Sequence, residues 1–166
     1  MSSTLYVDKL IEKTSAAGVH IPGHVIQTQY MGVTGDIATT STTPVSSGLS
    51  KAFTPKYANS VIRLSVMGGR IYTQQASKQM DMHLYVDGVS GATVFGNGYG
   101  RISSVYDNAS SSVHPGANSC IVYVPATNTS SRTYQIYFKV STGSNLMYLN
   151  QGADLRVYFS VEEIAQ

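Results

Sequence analysis

The sequence predicts an all-β protein, built as a sandwich or a barrel. Apolar residues recur at every second position in four separate runs. Clusters of Gly, Pro, Asn and Ser punctuate the chain between runs, as in VDGVSG, GNGYG, HPGANS and STGSN. No stretch after residue 15 carries an apolar stripe of helical period. Many short strands joined by turns are the signature of those two architectures.

The elements follow in chain order. Residues 1–22 hold two short apolar pieces, LYV and GVHI, joined by the polar KTSAA region. Neither piece buries enough apolar area to offset its own ordering entropy. The segment is therefore expected to be an arm that orders against another copy or another protein, with residues 23–166 forming the head. Pro22-Gly23 is expected to bend the chain between the two, leading into a strand through Val25. Residues 34–60, rich in Thr and Ser, are expected to form surface strands and loops rather than a thick core.

The periodic runs come next. Ile62, Leu64 and Val66 alternate with Arg63 and Ser65. Met80, Met82, Leu84 and Val86 alternate with Asp81, His83, Tyr85 and Asp87. Tyr134, Ile136, Phe138 and Val140 alternate with Thr133, Gln135, Tyr137 and Lys139. Leu155, Val157, Phe159 and Val161 alternate with Arg156, Tyr158, Ser160 and Glu162. Each reads as a strand with one buried face, which puts Asp81 on the solvent side. Asp87-Gly88 reads as a turn, and GNGYG as a flexible loop tip. Tyr85, Tyr137 and Tyr158 fall opposite the aliphatics. An aromatic strand face with hydroxyls suits cross-strand pairing, a subunit contact or a sugar platform.

Composition narrows the function. The chain has 166 residues, room for one domain with a sizeable core. Only 12% are charged, the net charge is +2, and the Lys and Arg are scattered. Such a chain generates little long-range field, so no nucleic-acid partner is implied. No run reaches the ~20 apolar residues of a membrane helix, and the charged TLYVDKLIEK is unlike a signal peptide. Synthesis in a reducing cytosol is expected. The single cysteine, Cys120, lies in the apolar run CIVYV, so a buried, inert thiol is expected.

Signals for chemistry are sparse. His20 and His24 are four apart, but Pro22 and Gly23 between them break the helix that a zinc motif needs. No cofactor and no metal is expected, and the histidines read as structural. GxSxG is absent, and His83 and His114 have no acid at a diagnostic spacing. Glu162 and Glu163 are adjacent on a strand, point to opposite faces and cannot act as a carboxylate pair. GNGYG is not followed by a helix, so it is no phosphate cradle. Asn128-Thr-Ser130 and Asn108-Ala-Ser110 match glycosylation triplets, which chance supplies often.

The lead TLYVDKLIEKTSAAGVHIPGHVIQ resembles a VDxIxEKTxxxGVxI pattern of tailed-bacteriophage fibres and virion structural proteins. TPKYANSVIRLSVMGG, MDMHLYVDG, SRTYQIYFKV and the terminal LRVYFSVEEIAQ resemble the compact trimeric heads of that group. The resemblance spans nearly the whole chain and implies a jelly-roll-like antiparallel β-sandwich, similar to C1q and tumour-necrosis-factor heads. It implies a homotrimer whose extended arm, with Leu5, Val7, Leu10, Ile11, Val19 and Ile21, attaches to the virion or intertwines with its copies. A partner capsid or tail protein follows. Capsid decoration or a head fibre is the first expectation, because a chain this short lacks a dedicated attachment domain. A short tail-fibre tip is the second, in which Tyr99 and Tyr106 contact host surface polysaccharide. A polysaccharide-cleaving enzyme comes last, for want of a groove or a carboxylate pair.

Overall fold

The computed structural model describes residues 21–73, 78–107, 116–141 and 146–166. Leu5, Val7, Leu10, Ile11, Val19 and His20 therefore lie outside the described residues, as do His114 and the Asn108 triplet. Among the described residues, eleven strands and one short α-helix follow along the chain. They are β1 (Val25–Thr34), β2 (Ile37–Thr39), β3 (Val45–Phe53), β4 (Val61–Thr73), β5 (Lys78–Val86) and β6 (Val89–Ser90). Then come α1 (Gly91–Phe95), β7 (Arg101–Asp107), β8 (Gly116–Pro125), β9 (Arg132–Val140), β10 (Met147–Asn150) and β11 (Arg156–Ile164).

The strands form two antiparallel sheets. One runs β1-β11-β4, with β8 on the far edge of β4 and β10-β2 continuing from its end. The other runs β3-β9-β5, with β7 and the short β6 beside β5. Among the eight long strands, first pairs with eighth, second with seventh, third with sixth and fourth with fifth. That is the pairing of one long hairpin rolled up, the jelly-roll order.

The period of two sets which residues lie inside. Ile62, Leu64 and Val66 of β4 face Met80, Met82, Leu84 and Val86 of β5 within one core. Tyr134, Ile136, Phe138 and Val140 of β9 and Val157, Phe159 and Val161 of β11 complete it. Each such side chain contributes about 1.5–3 kcal/mol through removal from water. Cys120 is buried as expected, and burial pushes its thiol pKa up. Asp87 and Gly88 both take positive φ, 53° and 79°, in the tight turn between β5 and β6.

Five expectations need correction. Asp81 is not on the open solvent face: only 5% of it is exposed, because outward neighbours cover it. Leu155 is not a core residue; it precedes β11 in a turn and is exposed. Residues 34–60 supply more than surface, since β3 sends Leu49 and Phe53 fully into the core. The segment after β6 contains the five-residue α1, one turn too short to show a periodic stripe. GNGYG is no loose tip. It forms a 3-10 turn at Asn97–Tyr99, Tyr99 packs on the core, and the Gly100 carbonyl accepts the Leu84 amide.

A bulge in β4 joins the two parts of its sheet. Gly68 and Gly69 have φ of 83° and 68°, and pairing with β8 shifts between Gly68 and Ile71. Buried Asn150 reaches this bend: its Oδ1 accepts the Arg70 amide, and its Nδ2 donates to the Gly35 and Leu155 carbonyls. The backbone groups freed by the bulge thus find side-chain partners.

Candidate interaction faces

The outer face of the β1-β11-β4-β8 sheet follows directly from its registers. One cross-strand row holds Tyr30, Ser160, Ser65 and Ile121. The row on one side holds Gly32, Tyr158, Met67 and Ser119, and that on the other Thr28, Glu162, Arg63 and Tyr123. At the edge lie Val25, Ile164, Val61 and Pro125. Tyr30 is 71% exposed, Tyr123 53%, Met67 51%, Ile121 46% and Tyr158 45%. Small residues occupy the centre, where the Ser65 and Ser160 hydroxyls share a 2.6 Å hydrogen bond. Arg63 and Glu162 pair at 2.8 Å and neutralise each other. A sheet face with large apolar side chains around small ones, its charges confined to the Arg63–Glu162 pair and to Arg156 lying over the Tyr158 ring, has the make-up of an interface core.

At the edge row, residue 21 leads into β1. Ile21, half-buried, accepts the His24 amide across the Pro22-Gly23 turn, and Gly23 has φ 84°. The Gly23 amide donates to Ala165, and the Ala165 amide to His24. Residue 21 and the C-terminus therefore share one end of the sandwich. The expected bend is where the sequence put it.

Beside this end sits a buried carboxylate. Glu163 continues the inward face of Val157, Phe159 and Val161 and has no exposed surface. Its oxygens accept the Lys56 and Tyr57 amides, the Ser60 hydroxyl and Gln27 Nε2, all within 3.0 Å. Burial alone would raise its pKa, but these donors outweigh burial and hold it below the ordinary carboxylate value. The carboxylate thereby ties β1 and the segment after β3 to the last strand.

The outer face of the second sheet is polar and aromatic. Tyr85 and Tyr137 stack with ring centroids 4.0 Å apart and planes 17° apart. Asp81 accepts Gln79 Nε2 at 2.7 Å and the Ser104 hydroxyl at 2.8 Å, with Arg101 at 3.7 Å. His83 lies between Tyr137 and Arg101 in the register. Burial, then the nearby Lys139 charge, lowers its pKa, and its buried Nε2 has no partner.

The two tyrosines expected to touch glycan are not brought together. Tyr99 packs edge-on against Phe95 at the near end of β7, half-buried. Tyr106 pairs with Gln79 towards the far end and is 59% exposed. Between residues 101 and 106 alone the strand runs about 17 Å. The three outward tyrosines also divide: Tyr85 and Tyr137 stand on one sheet and Tyr158 on the other. His24 is exposed, and among the described residues no three His, Cys, Asp or Glu side chains gather as metal ligands. Sequence reasoning missed Tyr30, Met67, Ile121 and Tyr123 as members of one face. Their parity was readable, but which strands lie side by side was not.

No family model matches the sequence, and no curated protein does. Among solved structures, that of the infectious bursal disease virus Gx strain matches with TM-score 0.39 and 10% identity, over 84% of this chain and 37% of that one. The structure of the Gt strain of the same virus matches with TM-score 0.35 and 10% identity, over 100% of this chain and 43% of that one. The chain spans less than half the length of either. Likeness at this level carries no argument about what the chain does.

Proposed function

We propose that this chain is a non-enzymatic virion structural protein of a tailed bacteriophage, a homotrimer held to the particle by its N-terminal arm and decorating the capsid surface. The observation that supports assembly is the outer face of the β1-β11-β4-β8 sheet. Five large apolar side chains there are 45–71% exposed, around a centre of two serines and a neutralised ion pair. A lone soluble protein gains nothing from such a face, whereas copies that cover it remove apolar area from water. Residue 21 leads into β1, an edge strand of this same sheet, so an attachment arm before it puts attachment and assembly on one side. Three as the number of copies, and the phage particle as the place, rest on the resemblance of the arm and the final strand.

Sedimentation of the full chain tests this. A trimer is expected, and Ile121→Arg should shift it to monomer while far-ultraviolet dichroism stays unchanged. A monomeric parent chain at micromolar concentration would sink the assembly reading. Gold labelling of the C-terminus on intact particles then tests the place. Label over the head supports decoration. Label confined to the tail supports the second reading, a short fibre tip, which the exposed Tyr106 favours.

A further inference from the structure

We infer that the outer face of the β3-β9-β5-β7 sheet is a binding site for an oligosaccharide bearing carboxylates. The inference does not depend on the oligomeric state proposed above. Its floor is the stacked pair Tyr85 and Tyr137. Tyr137 stands on β9, between β5, which carries its stacking partner, and β3. The ring face turned from Tyr85 therefore looks towards β3. There the strand offers only small groups, Ser46, Gly48 and Ser50, at a register shift. Space above Gly48 is open, since a Cβ built on it would meet nothing within 4 Å. An aromatic face beside a shelf of small polar residues accepts the C–H face of a sugar ring while hydroxyls find hydrogen bonds nearby.

Charge decides the class of sugar. The one carboxylate in the middle of this face, Asp81, has a side chain only 7% exposed and is already bonded to Gln79 and Ser104. The Arg101 side chain beside it is 59% exposed. Lys139 lies two residues beyond Tyr137 on the same strand face, about 7 Å away. Arg101 lies two strands across from Tyr137, about 10 Å away. Beside Tyr137 a ligand thus meets two cations around one covered anion, Asp81, which lies opposite Lys139 in the register; the exposed Asp87 lies at the other end of the strand face, beyond Tyr85, where Arg132 stands 3.7 Å from it. A charged contact of this kind discriminates better than a neutral hydroxyl pair, because a charge-assisted hydrogen bond is about twice as strong.

Tetragalacturonate and its neutral counterpart galactotetraose are the probes, titrated into the full chain by isothermal calorimetry. The acidic probe should bind about tenfold tighter than the neutral one. Lys139→Gln should remove most of that preference. Ser46→Phe, which fills the shelf and leaves Tyr137 in place, should weaken both probes. Each variant is first shown to sediment and melt as the parent does. No heat with tetragalacturonate at millimolar concentration would overturn the site. So would equal binding of the two probes, or binding that neither variant changes. Sedimentation scores assembly separately, so a monomer that binds the acidic probe leaves this site standing.

Discussion

The Ser60 hydroxyl donates to the Glu163 carboxylate at 2.7 Å, across 103 residues of chain. With the Lys56 and Tyr57 amides and Gln27 Nε2, it makes a cradle that fixes the last strand to the first strand and to the segment entering β4. The group is fully buried, so its donors have no water to fall back on. Glu163→Ala should lower unfolding free energy by about 3 kcal/mol, since it removes the acceptor of two part-buried amides and of Gln27 Nε2 and leaves a cavity in place of a fully buried side chain. Glu163→Gln should lose less. Urea midpoints of the two variants against the parent measure the difference.

The same carboxylate should give the fold an acid-sensitive component. Its folded pKa lies below the ordinary value of 4.5. Its contribution is therefore fully present above pH 4.5 and is lost as the pH falls through the folded pKa. The stability gap between parent and Glu163→Gln should be constant from pH 7 to about 5 and shrink below that. A gap that persists undiminished at pH 2 would remove the cradle as its source.

Two glycines with similar backbones should respond differently to the same change. Gly88 has φ 79° and open space around a built Cβ, whereas a Cβ on Gly69, at φ 68°, would come 2.8 Å from Asn150 Oδ1 and 3.2 Å from Val157 Cβ. Gly88→Ala should cost about 1–2 kcal/mol, the strain of the left-handed conformation. Gly69→Ala should cost more, because it also pushes on a fully buried asparagine and a core strand. Thermal melts of both proteins rank them, and a reversed order would contradict the bulge geometry.

The lone thiol should be slow to react. Cys120 is 8% exposed, its Sγ lies 3.3 Å from the Ile102 carbonyl, and burial raises its pKa. At pH 8 the folded protein should be alkylated by iodoacetamide far more slowly than the urea-unfolded chain, because the thiolate is the reactive form. Mass spectrometry over time reads the two rates, and equal rates would place the thiol at the surface.

The sequence by itself determined four of the strands, β4, β5, β9 and β11, and their inner faces. Val157, Phe159 and Val161 are buried because a strand turns its side chains alternately, and that period is written in the order of residues. The same local rule located the Asp87-Gly88 turn and the bend at Pro22-Gly23. It failed where burial comes from neighbours in space. Asp81 sits on the outward parity, yet Gln79 beside it and Ser104 from another strand cover it. Glu163 sits on the inward parity, where a carboxylate survives because loops 103 or more residues away supply its donors. Only the tertiary structure decided which strands adjoin. Tyr30, Met67, Ile121, Tyr123 and Tyr158 come from four strands spread over 129 positions, and become one face only when first pairs with last and third with sixth. Pairing of that range is set by the closing of the whole core, not by any local preference, so no window of the chain contains it.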